Sequence, residues 1–93
     1  MRYNLRVSKA AKLFDKIMQG RADANIGFAD LCHLLRQMGF SERISGSHHV
    51  FKRPNVPAIV LQADSAKAKP YQVRQVREIF RRYAIGGVHD EDA

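Results

Sequence analysis

Two adjacent histidines, His48 and His49, lie between a Gly-Ser pair and a Lys-Arg pair in the run SGSHHVFKRP, residues 45–54. A free imidazole has a pKa of roughly 6.5, so histidine can accept or release a proton near neutral pH. RNA carries its own nucleophile, the 2′-hydroxyl. Its cleavage therefore needs only a group that takes this proton and donors that stabilise charge on the phosphate oxygens. The run thus suits metal-independent acid-base chemistry on a phosphodiester.

The residues on either side of the histidines can supply the other parts of such a site. Lys52 and Arg53 are candidate donors to phosphate. Gly46 permits a close approach of a ligand to the backbone, and the hydroxyl of Ser47 can donate to a phosphate oxygen. These four residues are therefore predicted to contact RNA.

Other interpretations of the histidine pair must be weighed against this one. Histidines in a strand are often solvated or hydrogen-bonded without a role, and only one of two successive residues can point at a given face. Spacing argues against a metal site, because the chain has no Cys-x-x-Cys or His-x-x-x-His set and Cys32 is typical of a core thiol. We therefore predict no metal and no cofactor. Apolar residues at both Val50 and Phe51 leave open which face of the sheet His48 occupies.

The charge of the chain favours a polyanionic partner. Sixteen Lys and Arg residues against nine Asp and Glu give a net charge of +7. Ten basic and three acidic residues lie between Arg36 and Arg82, and the rest of the chain has no net charge. The positive charge is thus concentrated in the part of the chain that contains the histidine pair.

A second basic group lies on the last predicted helix and just before it. Helical spacing aligns three arginines in a stripe, Arg74, Arg77 and Arg81. A solvated helix face is the competing interpretation, supported by a favourable ion-pair spacing of Glu78 and Arg82. Lys67 and Lys69 extend the positive surface to the start of the helix, where backbone N–H groups favour phosphate. We predict that Lys67, Lys69, Arg74 and Arg77 bind RNA phosphates.

Hydrophobic periodicity and turn residues predict the elements that position these groups. One helix begins after Ser8 and runs to Gln19, a second ends at Met38, and a third begins at Pro70 with Val73, Val76, Phe80 and Tyr83 as its buried stripe. Three short antiparallel strands, FSERIS, SHHVFKR and AIVLQ, lie between the second and third helices. The order α-α-β-β-β-α predicts an α+β fold with the helices on one face of the sheet. The other face would remain open for binding.

Length and cysteine content limit the remaining possibilities. Ninety-three residues suffice for a single domain, residues 1–93. The single cysteine cannot form an internal disulfide, and no apolar run resembles a signal sequence or a membrane span. A cytoplasmic location without membrane association is therefore expected.

Four segments together resemble the HicA family, the toxin component of HicAB-type bacterial toxin-antitoxin systems. They are LLRQMGF, RISGSHHVFKR, the short apolar strand and KPYQVRQVREIFRRY, and they extend from about Phe28 to Tyr83. The resemblance implies a fold like the double-stranded RNA-binding domain and an mRNA-cleaving ribonuclease activity that a HicB-type antitoxin neutralises. The family's catalytic histidine follows Gly-Ser, which places the role of general acid or base on His48. The resemblance assigns no role to His49.

The resemblance also divides the chain. Residues 1–25 become an N-terminal helical extension, 26–85 a HicA-like core and 86–93 a disordered acidic tail. Compact family members begin with the second helix, so the extension is a departure. The loop after the third strand, ADSAKAKP, also departs from the family pattern, and its RNA contacts cannot be carried over.

Two other function classes stay open at the level of sequence. A non-catalytic module that grips double-stranded RNA by its shape would have the same charge. A small protein-interaction domain with a basic surface for an acidic partner is a further alternative.

Overall fold

The structure, a computed structural model, describes residues 8–86. Its helices are α1 (Lys9–Gln19), a short 3₁₀ helix (Asp23–Asn25), α2 (Phe28–Gln37) and α3 (Pro70–Arg82), and its strands are β1 (Ser41–Ser45), β2 (His48–Arg53) and β3 (Val56–Gln62). The predicted α+β fold and the order α-α-β-β-β-α are confirmed. The predicted acidic tail, apart from Gly86, lies outside the described residues.

The three strands form one antiparallel sheet with β2 in the middle. Register and alternation divide its side chains between two faces. The inner face, which packs against the helices, comprises Glu42, Ile44, His49, Phe51, Ile59 and Leu61. The outer face comprises Ser41, Arg43, Ser45, His48, Val50, Lys52, Val60 and Gln62. Phe51, Ile59 and Leu61 are fully buried in the core, whereas most of the outer face is exposed.

Helix α1 begins and ends where its capping residues require. The Ser8 hydroxyl accepts a hydrogen bond from the backbone N–H of Ala11 at 3.0 Å, and this satisfies a donor that the first turn would otherwise leave free. Gly20 ends the helix with a φ of 73°, a left-handed conformation that glycine adopts without strain. The predicted start and stop of this helix are therefore confirmed.

Helix α1 packs on the rest of the molecule. Ile17 is fully buried, and the ring of Phe14 stacks on that of Phe80 in α3 with the centroids 5.4 Å apart. Arg77 of α3 donates two hydrogen bonds to the carboxylate of Asp23, at 2.9 and 3.0 Å, and another to the carbonyl oxygen of Ile17 at 3.0 Å. Helix α1 and the 3₁₀ helix are therefore joined to α3 by both apolar and ionic contacts.

Helix α3 buries one face against the sheet. Val73, Val76 and Phe80 are buried as the pattern predicts, but Tyr83 is 40% exposed. The prediction that Tyr83 is buried is wrong: α3 ends at Arg82, the chain turns at Ala84 with a positive φ of 50°, and Ile85 instead of Tyr83 is the buried residue beyond Phe80.

Candidate functional site

A tight turn fixes the position of the histidine pair. Gly46 and Ser47 join β1 to β2, and Gly46 has a φ of 60°. A positive φ at the first residue of a two-residue hairpin loop favours glycine there. The carbonyl oxygen of Ser47 accepts a hydrogen bond from the N–H of Ala63 at 2.9 Å, which holds the turn to the end of β3. His48, the next residue, is thereby fixed in the central strand.

His48 lies on the outer face, which settles what alternation in the sequence left open. Its side chain is exposed, and its register partners are Ser45 on β1 and Gln62 on β3. Directly opposed residues have Cβ atoms about 5 Å apart, so the Ser45 hydroxyl and the Gln62 amide can donate to a ligand that contacts His48. The imidazole is therefore accessible and has neutral donors on both sides.

Arg43 is a candidate that the sequence reasoning missed. It is exposed and pairs with Val50, which places it diagonal to His48 on the same face. Diagonal neighbours are about 7–8 Å apart, within reach of an arginine side chain. Lys52 is also exposed and on this face, but it is four residues along β2, about 13 Å from His48. Counting back along β1 from the Gly-Ser turn would have found Arg43.

His49 lies on the inner face and has partners there. Its Nδ1 is 2.8 Å from Oε2 of Glu42, and its ring meets that of Phe28 edge-on with the centroids 5.1 Å apart. Glu42 also accepts a hydrogen bond from Arg36. Burial raises the pKa of Glu42, but the hydrogen bonds from His49 and Arg36 outweigh it and leave that pKa below its ordinary value. His49 is therefore part of an internal polar cluster.

Cys32 of α2 completes this cluster. The Cys32 sulfur, a Glu42 carboxylate oxygen and a His49 ring nitrogen all lie within 4.8 Å of one another. Burial, followed by the charge of Glu42, raises the pKa of the Cys32 thiol to about 11. Sequence spacing had argued against Cys32 as a metal ligand, but the fold brings it to two residues that are remote in sequence. Local spacing cannot detect such a cluster.

Two of the predicted RNA-binding arginines form hydrogen bonds to other residues of the protein. Arg53 donates to the carbonyl oxygen of Met38 at 2.9 Å, and its guanidinium lies 5.8 Å from the centroid of the Phe40 ring. Arg77 is paired with Asp23, and its side chain is only 12% exposed. Both guanidinium groups are engaged by partners within the protein and both residues are partly buried, so neither is a free phosphate ligand in this structure.

The other predicted phosphate ligands lie near the start of α3. Lys67, Lys69 and Arg74 are exposed. The buried Gln72 donates from Nε2 to the carbonyl oxygen of Gln62 at 3.1 Å. Because Gln62 pairs with His48, the first turn of α3 lies at the same end of the sheet as His48. These three cations therefore belong to the same end of the molecule as the candidate site.

Fold and site together define a small α+β domain that displays a histidine on the uncovered face of its sheet, directly after a Gly-Ser turn. A family model described as the HicA toxin of bacterial toxin-antitoxin systems matches residues 28–81, more than half of the 93-residue chain. The chain belongs to this family. Comparison with curated proteins found no match, and comparison with solved structures found none either. Between residues 8 and 86, no helix is both long and apolar enough to cross a membrane.

Proposed function

We propose that this toxin is an endoribonuclease that cleaves mRNA, with His48 as the general base and acid. The observation that carries the proposal is the exposed imidazole of His48 on the open sheet face, directly after Gly46-Ser47 and within the segment that matches the family. A histidine in that position can meet an extended substrate without any rearrangement of the core.

The proposed reaction needs no metal ion. His48 takes the proton of a ribose 2′-hydroxyl, and the 2′-oxygen attacks the adjacent phosphorus. The bond to the 5′-oxygen of the next nucleotide breaks, and that oxygen receives a proton from the imidazolium. The products are a 2′,3′-cyclic phosphate and a 5′-hydroxyl.

The outer face supplies the groups that such a reaction requires. Arg43, diagonal to His48, would stabilise charge on the reacting phosphate. Lys52 is too distant for the same phosphate and suits a neighbouring one. Ser45 and Gln62 flank the imidazole and can orient the ribose or the phosphate oxygens.

Further phosphates of the RNA would be bound at the end of the sheet that carries His48. Lys67, Lys69 and Arg74, near the start of α3, and the turn residues Gly46 and Ser47 all lie at this end. All five residues are exposed. Because phosphate contacts fix register without reading sequence, these residues would position the strand over His48.

A HicB-type antitoxin is the proposed partner, and the cytoplasm, where mRNA is translated, is the proposed location. The outer face includes an exposed apolar residue, Val60, at 45% exposure, and Tyr71 on α3 is 54% exposed. A partner that covers the outer face would bury Val60 and block access to His48, and one that also reaches α3 would cover Tyr71. Toxicity would then depend on removal of the partner.

Replacement of His48 tests the proposal. Expression of the wild-type chain should arrest growth and fragment mRNA, whereas His48→Ala should do neither. His33→Ala is the matched control, because His33 is an exposed histidine on α2, away from the outer face. Equal toxicity and equal RNA cleavage by His48→Ala would refute the assignment.

Product ends and metal dependence test the chemistry separately. Purified toxin should cleave RNA in the presence of EDTA and leave 2′,3′-cyclic phosphate ends. Cleavage that requires added Mg²⁺ and leaves 5′-phosphate ends would contradict the proposed mechanism.

A non-catalytic RNA-binding module is the alternative, favoured by the exposed cations Arg43 and Lys52 on the open face. Such a module would bind RNA with strong salt dependence and leave the strand intact. Its affinity would change little in His48→Ala. Wild-type binding without any cleavage would therefore favour the alternative.

A further inference from the structure

The polar cluster on the inner face has the composition of a metal site. Cys32 comes from α2, Glu42 from β1 and His49 from β2, and their potential ligand atoms lie within 4.8 Å of one another. The three residues line a pocket of about 270 Å³ between α2 and the edge of the sheet, together with Phe28 and Ile44. The cluster is therefore open to a small ion from solvent.

The ligand types favour zinc over other common cations. Zn²⁺ binds cysteine sulfur, histidine nitrogen and carboxylate oxygen, usually with tetrahedral geometry. At Zn–S and Zn–N distances of about 2.3 and 2.0 Å, tetrahedral ligand atoms are about 3.5 Å apart. The most distant ligand atoms, at most 4.8 Å apart, therefore need to approach by about 1.3 Å at most, while the His49 and Glu42 atoms, at 2.8 Å, need to separate slightly. Side-chain rotation can supply movements of this size. Mg²⁺ and Ca²⁺ prefer oxygen ligands, so the cysteine thiolate makes them poor candidates for this cluster.

The surroundings of the cluster already support such ligands. Arg36 donates to Oε1 of Glu42, which orients the carboxylate and leaves Oε2 directed at His49. The ring of Phe28 packs edge-on against the imidazole and limits its rotation. Groups of this kind, which hold the ligands in place, commonly raise metal affinity.

We propose that Cys32, Glu42 and His49 bind a zinc ion, with a water from the pocket as the fourth ligand. The Cys32 thiol gives its proton to solvent as the S–Zn bond forms. His49 binds as a neutral imidazole that keeps one proton, on the ring nitrogen away from the metal. Oε2 of Glu42 exchanges its hydrogen bond to His49 for the metal. One proton is released for each zinc ion bound.

This site is separate from the proposed ribonuclease site and independent of it. His49 and His48 are neighbours on β2, but their side chains lie on opposite faces of the sheet. A zinc ion would join α2 to both strands of the hairpin that carries His48. Its effect would be to stabilise the hairpin, without contact with RNA.

Cobalt titration of the full chain tests the site directly. Co²⁺ added to the reduced wild-type protein should give a thiolate-to-cobalt absorption band in the near ultraviolet and the intense visible bands of tetrahedral Co²⁺. Zn²⁺ should abolish both. Cys32→Ser should lose the thiolate band and bind Zn²⁺ at least about 100-fold more weakly. His33→Ala, which removes the histidine next to Cys32 but outside the cluster, should behave as wild type.

Thermal unfolding gives a second measurement. Zn²⁺ should raise the unfolding midpoint of the wild type and of His33→Ala, but not that of Cys32→Ser, whose fold is checked by circular dichroism. A wild-type protein without a thiolate-to-cobalt band would overturn the proposal. Undiminished zinc binding by a folded Cys32→Ser variant would overturn it as well. RNA cleavage plays no part in either result, so failure here leaves the ribonuclease proposal standing.

Discussion

The two faces of the sheet carry similar residues with different environments. Each face has one histidine of the adjacent pair: His48 is exposed between Ser45 and Gln62, and His49 is held by Glu42 and Phe28. The same holds for two arginines of the hairpin, since Arg43 is exposed and Arg53 is bonded to Met38. A shift of one residue in strand register would exchange the two sets. In this molecule, availability for chemistry is decided by the face and not by the residue type.

Two neighbouring apolar residues of β3 give the largest contrast between the faces. Ile59 is fully buried on the inner face, whereas Val60 is 45% exposed on the outer face. Ile59→Ala should lower the free energy of unfolding by about 3 kcal/mol, because a cavity remains in the core. Val60→Ala should lower it by less than about 1 kcal/mol. Urea denaturation measures both, and equal losses would mean that the outer face is packed against another part of the chain.

The ion pair between Asp23 and Arg77 should have the next largest effect. Asp23→Asn leaves a guanidinium with little exposure and no carboxylate partner, so we expect a loss of about 2 kcal/mol at neutral pH. The hydrogen bond from Arg77 lowers the pKa of Asp23 below its ordinary value of 3.8. The stabilisation from the pair is therefore complete at pH values well above 3.8 and is lost as the pH falls through the lowered pKa. The free energies of unfolding of the wild type and the variant should converge at low pH. A difference that persists unchanged at low pH would contradict this.

The turn that sets the register should show a smaller effect. Gly46 has a φ of 60°, and no atom lies within 4 Å of the position a Cβ would take. Gly46→Ala should therefore cost about 1–2 kcal/mol through backbone conformation alone. Gly46→Asn should cost about as much, because Gly46 but not Ser47 has a positive φ, the pattern of a type II′ turn, whose first position favours glycine over asparagine as well as alanine. A much larger loss in the asparagine variant would point to a steric cause. If cleavage fails in a stable Gly46→Asn variant, close approach of RNA to the backbone is the better explanation of the glycine.

Local patterns in the sequence were sufficient to predict the elements but not their side-chain partners. Ser8, Gly20 and Pro70 correctly predicted helix ends, because capping and backbone conformation are local effects. The face occupied by His48 could not be read, since Val50 and Phe51 are both apolar and only the packed helices select Phe51 as the inward residue. The division into an extension, residues 1–25, and a core, residues 26–85, stays a prediction.

Contacts between distant residues explain which features of the candidate site the sequence could not show. The partner of Arg77, Asp23, is 54 residues away, and that of Arg53 lies on a different element. A helical stripe or a Lys-Arg pair cannot reveal such partners, so both arginines resembled phosphate ligands. The cluster of Cys32 with His49 was missed for the same reason. Arg43 differs, because hairpin register around Gly46-Ser47 is a local feature that would have revealed it.

The two arginines of the hairpin provide the finest test of the comparison between faces. Arg53→Ala should lower the free energy of unfolding by about 1 kcal/mol, since it removes a hydrogen bond to Met38 and a contact with Phe40. Arg43→Ala should change it by less than about 0.5 kcal/mol. The effects of the two variants on RNA binding should be in the opposite order. Binding is measured in a His48→Ala background so that the RNA strand stays intact. Arg43→Ala should weaken binding and reduce the slope of log affinity against log salt concentration by about 0.7, the value for one phosphate of a single strand, whereas Arg53→Ala should leave this slope unchanged. If both variants reduce the slope equally, the hydrogen bond of Arg53 gives way to RNA, and the inner side of the hairpin contributes to binding after all.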